Sequence, residues 1–396
     1  KASGLGTQAR GMIVEGNTVV SATESGAISI ESTASTSGVG IDLGYSTTST
    51  GVLDVLAKSG DITFNTKDSG ISIATVGSIN MGRKTGSTVT TSSSDITLIA
   101  DNFTSNGPLN FNTSGILTIK PQDGNSFTST FDTSNLTYSS DVSGLTIGHS
   151  SNTGDITVGS STTIAGDISL YGGDITINNK LEATSSTITL DGSGTVSDGV
   201  SGYVVATNLL LSDGAVTLDN MNNDVDNIAG TALDSLTFYD TDGITIGSTI
   251  GSTSGISSSG NVILSTGADE SVGTTTGGDI IISGTPTVTS STGNVKLYTG
   301  SITGSTGLTT LVGSGSGNFR YNSDETNTNF TTALGTTGTY AIYREQPSVS
   351  GTISSETITY GDANPSFTMS GGSGLVNGDS SSGFTIVGSS NSSAGK

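Results

Sequence analysis

Gly154-Asp-Ile-Thr-Val158-Gly-Ser-Ser-Thr-Thr-Ile164-Ala-Gly-Asp-Ile-Ser-Leu170-Tyr-Gly-Gly-Asp-Ile-Thr-Ile177 holds three copies of one phrase: a glycine, an aspartate, then apolar–hydroxyl–apolar. Ile156 and Val158 bracket Thr157, Ile168 and Leu170 bracket Ser169, and Ile175 and Ile177 bracket Thr176. A period of two puts the aliphatics on one face and the hydroxyls on the other, the pattern of a short half-buried strand. Gly and Asp ahead of each triplet read as turn chemistry: glycine takes positive φ freely, and Asp can bond its own downstream backbone. A strand of three to five residues cannot bury its face alone and must stack on others like it.

The phrase returns as Gly26-Ala-Ile-Ser-Ile30, Gly60-Asp-Ile-Thr-Phe64, Ser94-Asp-Ile-Thr-Leu98, Gly115-Ile-Leu-Thr-Ile119 and Gly144-Leu-Thr-Ile147. It continues through Gly214-Ala-Val-Thr-Leu218, Gly243-Ile-Thr-Ile246, Gly260-Asn-Val-Ile-Leu264, Gly278-Asp-Ile-Ile-Ile282 and Gly293-Asn-Val-Lys-Leu297. A degenerate repeat along most of a chain indicates a solenoid. Spacings of 34 (Gly26 to Gly60 to Ser94) against 15–18 (Gly243 to Gly293) suggest a turn of roughly 15–20 residues, some turns lacking the phrase. At one strand spacing per turn the rod would be on the order of 80–100 Å long. Helix signals are almost wholly missing, so the expected fold is all-β: a right-handed parallel β-helix followed by a small β-rich module. The expected divisions are 1–307 for the helix, 308–346 for a closing cap and 347–396 for the module.

Composition agrees with a thin repetitive core. Among 396 residues, 31% are apolar and 58 are Gly, and the mean hydropathy of −0.02 is not that of a disordered chain. The net charge of −22 disfavours nucleic acid and anionic lipid as partners while favouring solubility. There is no Cys, hence no disulfide, thiol redox chemistry or thiolate metal site. No apolar run reaches the ~18–20 residues of a membrane span. The chain opens on Lys1 without a signal peptide and reads as a piece of a longer polypeptide, with targeting elements elsewhere.

Candidate chemistry is sparse. His149, the single histidine, lies in Gly-His-Ser-Ser-Asn without a nucleophile-elbow phrase and reads as a turn residue. Asp240 with Asp242, or Asp224 with Asp226, are the carboxylate pairs a polysaccharide-cleaving enzyme would need, but aromatic and Arg neighbours are few. Asp219 to Asp226 and Asp240-Thr-Asp-Gly243 offer hard oxygen ligands without matching a calcium loop. The hydroxyls Thr157, Ser169, Thr176, Thr189 and Thr245 raise an ice-binding alternative, which needs strict register that the irregular spacing argues against. Asn102, Asn135 and Asn329 fit glycosylation sequons. No catalytic, cofactor-binding or metal residue is expected.

Three longer stretches carry a resemblance. Asp219-Asn-Met-Asn-Asn-Asp-Val-Asp-Asn-Ile-Ala-Gly230 followed by Ser235-Leu-Thr-Phe-Tyr-Asp-Thr-Asp-Gly-Ile-Thr-Ile-Gly247 resembles the repeat of filamentous haemagglutinin-type exoproteins. Leu311-Val-Gly-Ser-Gly-Ser-Gly-Asn-Phe-Arg-Tyr321 with Tyr340-Ala-Ile-Tyr-Arg-Glu-Gln-Pro347 is similar to the segment closing that solenoid. It gathers Phe319, Arg320, Tyr321, Phe330, Tyr340, Tyr343 and Arg344, as a cap over an exposed end would. Ile358-Thr-Tyr-Gly-Asp-Ala-Asn-Pro-Ser-Phe-Thr368, then Ser373-Gly-Leu-Val-Asn-Gly-Asp379, resembles a YGX-type β module, incomplete here. The resemblance implies a secreted bacterial adhesin or structural exoprotein, non-enzymatic, at the cell surface. Its partners would be an outer-membrane secretion protein, glycans or proteins of host or neighbouring cells, and copies of itself in fibres. The alternatives are a carbohydrate-active β-helix enzyme and an ice-binding solenoid.

Overall fold

A computed structural model describes residues 12–353 and 369–380, apart from 15, 23, 33–38, 44–51, 68–69, 74–77 and 86–87. Short strands coil into a parallel β-solenoid with three strand stacks. The first stack runs through Ile28–Glu31, Ile62–Asn65, Ile96–Ile99, Ile116–Lys120, Gly144–Ile147 and Asp167–Gly172. It continues into the long strands Lys180–Gly192, Tyr203–Ser212 and Asp224–Leu233, then Ile244–Ile246 and Ile280–Ile282. The second holds Thr18–Ser21, Val52–Leu56, Ser78–Thr85, Leu109–Phe111 and Leu136–Tyr138. The third begins with the four strands from Met12–Val14 to Asn102–Ser105 and gives way to a ten-stranded sheet from Phe131–Asp132 to Gly338–Tyr343. Phe103 and Phe131 meet at that changeover, ring centroids 5.4 Å apart.

Register is kept by the buried residues. Ile28, Ile62, Ile96, Leu117, Leu145, Ile168, Ile188, Leu209, Ile228 and Ile246 stand directly over one another through ten turns. On the third stack Phe131, Ile156, Ile175, Val196, Val216, Leu236, Val262 and Val295 do the same. Every member of both columns is buried. Burying one such side chain is worth roughly 1.5–3 kcal/mol, so single turns are weak and the array is stable through its neighbours.

The registers correct the turn length. Ile28 pairs with Ile62 and Ile62 with Ile96, so 34 residues form a single turn there; between Ile168 and Ile246 a turn takes 18–21. Ile244 pairs with Ile280 and Val262 with Val295, so the closely spaced phrases after Gly243 alternate between two stacks of the same turn. The coil is therefore shorter than expected. Its eleven-strand first stack, extended by the last two strands of the third, spans roughly 50–60 Å.

Glycine and aspartate of the phrase act between turns rather than within one. A Cβ on Gly60 would lie 2.2 Å from the Gly26 carbonyl oxygen, and one on Gly166 1.7 Å from that of Ser143. Close approach of the preceding turn, not positive φ, demands glycine at these corners. The carboxylates reach the next turn: Asp95 accepts the Ile116 N–H (2.7 Å), Asp155 that of Asp174 (3.0 Å), Asp167 that of Thr187 (2.9 Å) and Asp174 that of Thr195 (2.8 Å).

The chain is all-β as expected, with one short helix among the described residues. Leu308–Val312 forms a five-residue helix, and its Leu308 and Val312 are buried at the solenoid's end. Positions i and i+4 share a helix face, so one turn suffices to cover apolar ends that another strand would leave open. The only antiparallel strand pairs among the described residues are Ser78–Thr85 with Thr88–Thr90 and Ser350–Ile353 with Met369–Ser373.

Candidate functional surface

Because inward and outward residues alternate, fixed aliphatic columns force fixed outward columns. Ser29, Thr63, Thr97, Thr118, Thr146, Ser169 and Thr189 stack over seven successive turns of the first stack. Thr157, Thr176, Ser197, Thr217 and Thr237 form a second ladder on the third stack. Thr245 belongs to neither run, lying beside Asn227. Irregular sequence spacing thus does not break the register: extra residues leave through the corners. The longer ladder is one hydroxyl wide until Thr187 joins Thr189 at its last turn, between a flank carrying Asp61, Asp95 and Asp167 and another carrying Asn65, Lys120 and Tyr171. Such a stripe presents donors and acceptors every ~4.8 Å, suited to a polar polymer laid along the axis.

The remaining candidates are occupied by the fold. His149 Nδ1 accepts the Ser151 N–H (3.2 Å) and lies 3.3 Å from the Ser151 hydroxyl, while Nε2 faces the Gln122 carbonyl at 3.3 Å. These contacts close a turn, and among the described residues they are made with Ser151 and Gln122 rather than a carboxylate. Asp240 points inward with no exposed surface, accepting the N–H groups of Val225 (3.0 Å) and Asp242 (3.1 Å). Burial, followed by the Asp242 charge and hydrogen bond, pushes its carboxyl up to about 8. A carboxyl so enclosed cannot meet a polymeric substrate. Asp224 is exposed, and partial burial with the nearby charges of Asp242 and Asp226 raises it as well. Asp198 accepts N–H groups from Asp219 (3.3 Å) and Asn220 (3.0 Å), so the acidic turn is tied by backbone donors. Among the described residues no three His, Cys, Asp or Glu side chains are grouped to hold a metal ion.

The aromatic and arginine segment packs against the last strands of the third stack. Phe319, Arg320, Tyr340, Tyr343 and Arg344 are buried, and the Arg320 guanidinium lies 5.3 Å from the Phe330 ring centroid and 5.9 Å from that of Tyr340. Arg344 donates to four carbonyls: Thr266, Gly267 (3.1 Å), Thr276 (3.2 Å) and Gly278 (3.2 Å). One planar fork thereby fastens both ends of the loop between Thr266 and Gly278. Burial depresses its proton affinity, against the opposing field of Glu325, Glu270, Asp279 and Asp269.

Sequence reasoning missed two features. Asn152, nearly buried, accepts the N–H groups of Phe127 and Gly154 (both 3.0 Å) and donates to the Tyr171 carbonyl (2.7 Å), tying successive turns together. On the third stack Tyr239, Ser265 and Tyr298 form an outer column, with Ser265 donating to Glu325 at 3.1 Å. Burial, then the Tyr239 and Glu325 charges, raise Tyr298 to about 12. The sequence signal for that column is only two tyrosines at equivalent phrase positions; Glu325 comes from far along the chain.

Residues 349–396 match the MBG domain (YGX type). Gly374, Leu375, Gly378 and Asp379 of the expected motif fall within the described structure, whereas Tyr360, Gly361 and Pro365 lie outside the described residues. Comparison of the chain with curated proteins and with solved structures gives no match. The geometry and this match together make the chain a parallel β-solenoid whose C-terminal segment is similar to the YGX-type MBG domain.

Proposed function

We propose that this chain is a stiff spacer in a secreted surface protein, an adhesin or structural exoprotein that holds contact surfaces away from the cell. The observation that carries the reading is the unbroken column of ten stacked aliphatics from Ile28 to Ile246. Bending such a coil would open packing and parallel hydrogen bonds together, so load is shared along the axis. YGX-type MBG domains are typical of extracellular repeat-containing surface proteins, which supports the setting. The work is mechanical, not catalytic, and the hydroxyl stripe and outer tyrosines offer weak contacts that gain strength by repetition.

Labelled protein should bind cells or immobilised glycans with an avidity that rises steeply when several copies are displayed on one bead. Absence of binding together with end-to-end filaments in electron micrographs would replace attachment with a purely structural role. Release of reducing ends from polysaccharides would overturn the non-catalytic reading. Thermal hysteresis of freezing would favour the ice-binding alternative, for which the in-register ladder is the supporting feature.

A further inference from the structure

We propose that the closed end of the solenoid is a docking surface for the C-terminal module, with the turn Asn377-Gly378-Asp379 as its plug, so that the two units move as one body. Tyr321 connects them. Its ring stacks on the fully buried Tyr343, centroids 5.7 Å apart and planes 17° from parallel, and its hydroxyl donates to Asp379 Oδ2 at 2.6 Å. The same hydroxyl accepts from Asn377 Nδ2 at 3.2 Å. Asn377 also accepts from the Thr309 hydroxyl through its side chain (2.7 Å) and from the Gly315 N–H through its backbone carbonyl (2.9 Å).

The plug is held in shape by its own turn. Asn377 and Gly378 have φ of 52° and 76°, and the Asp379 N–H closes the turn on the Val376 carbonyl at 2.8 Å. Two successive positive φ values suit Asn-Gly and few other pairs. Gly378 is also required by contact, since a Cβ there would lie 2.1 Å from Ser314 Oγ and 2.7 Å from the Gly315 nitrogen. Motif residues of the module, Gly378 and Asp379, thus meet the cap beside Asn377.

Backbone bonds from Arg344 to Thr299 (2.9 Å) and Glu345 to Gly300 (3.1 Å) hold the chain to the solenoid, leaving Gln346 to Val349 before the strand Ser350–Ile353. Four free residues would let the module wander by about 11 Å. Docking removes that freedom. This docking does not depend on whether the rod adheres to anything.

The chain has no cysteine, so Thr289→Cys and Thr352→Cys, both at exposed positions, allow two spin labels to be placed uniquely on solenoid and module. Pulsed electron resonance should give a narrow distance distribution in this otherwise unaltered chain. Thr309→Val with Tyr321→Phe changes the solenoid side and leaves the module's sequence untouched; Asn377→Gly changes the plug while keeping its φ accessible. Each should broaden the distribution by on the order of 10 Å. A broad distribution before either change, or a narrow one after both, would overturn the proposal.

Discussion

Gly166→Ala tests the account of how turns stack. A Cβ at this position would lie 1.7 Å from the Ser143 carbonyl oxygen, 2.1 Å from its carbon and 2.8 Å from the Gly144 nitrogen. Even a tight Cβ contact needs about 3 Å, so the two corners must part by more than an ångström where Gly166 N–H now donates to Val142 at 3.1 Å. Two or three hydrogen bonds between Gly144–Ile147 and Asp167–Gly172 would be lost at ~1 kcal/mol each, and packing of Leu145 on Ile168 would loosen. The sum is about 3–5 kcal/mol of local destabilisation. Gly144→Ala, one turn earlier, is the control. Its Cβ would have Ile116 Cγ1 as nearest neighbour at 3.7 Å, an ordinary contact, and its φ is not positive. That change should be neutral or stabilising by ~0.4–1 kcal/mol through the unfolded chain. Urea denaturation followed by hydrogen exchange would read both, with lost protection in the Gly166 variant concentrated in 142–172. Equal effects of the two substitutions, or a Gly166→Ala cost below ~0.5 kcal/mol, would refute the reasoning.

Asp174→Ala should cost ~0.5–2 kcal/mol, as removal of a helix cap does, because the N–H (2.8 Å) and hydroxyl (2.9 Å) of Thr195 lose their acceptor. Asp174→Asn should nearly restore stability, since Asn261 already serves Asn294 this way at 3.0 Å; equal damage by both would show that charge matters. Arg344→Lys keeps the charge but not the fork and should raise amide exchange within 266–278 by ten-fold or more, about 1.4 kcal/mol, while 187–191 stays protected. Asp240 holds a proton in the native state up to about 8, and the unfolded chain releases it near 3.8. Its contribution to stability is therefore full below pH ~4 and is lost as pH rises to ~8, a slope that Asp240→Asn should flatten in melting curves. Burial raises Asp198, Asp191 and Glu325 in the same direction. Asp324 has the opposite sign: burial raises it, but the Asn327 and Thr326 hydrogen bonds outweigh that and hold it low, so its contribution is lost in acid.

The alternation Ile156-Thr-Val158 or Ile175-Thr-Ile177 by itself determines strand, inward face and the need to stack, because side chains alternate across a strand whatever surrounds it. Gathering of Phe319, Arg320, Tyr340 and Arg344 likewise marks a stretch that buries its large side chains. Sequence spacing could not say which phrase lies over which. Gly243 and Gly260 are 17 residues apart yet open strands on different stacks, while Ile28 and Ile62 are 34 apart and touch. Corners absorb any number of residues at little cost in the register, so turn length and rod length belong to the tertiary structure. The roles of Gly166 and Asp174 were hidden for the same reason: the atoms they answer to, the Ser143 carbonyl and the Thr195 N–H, become neighbours only when one turn lies upon the next.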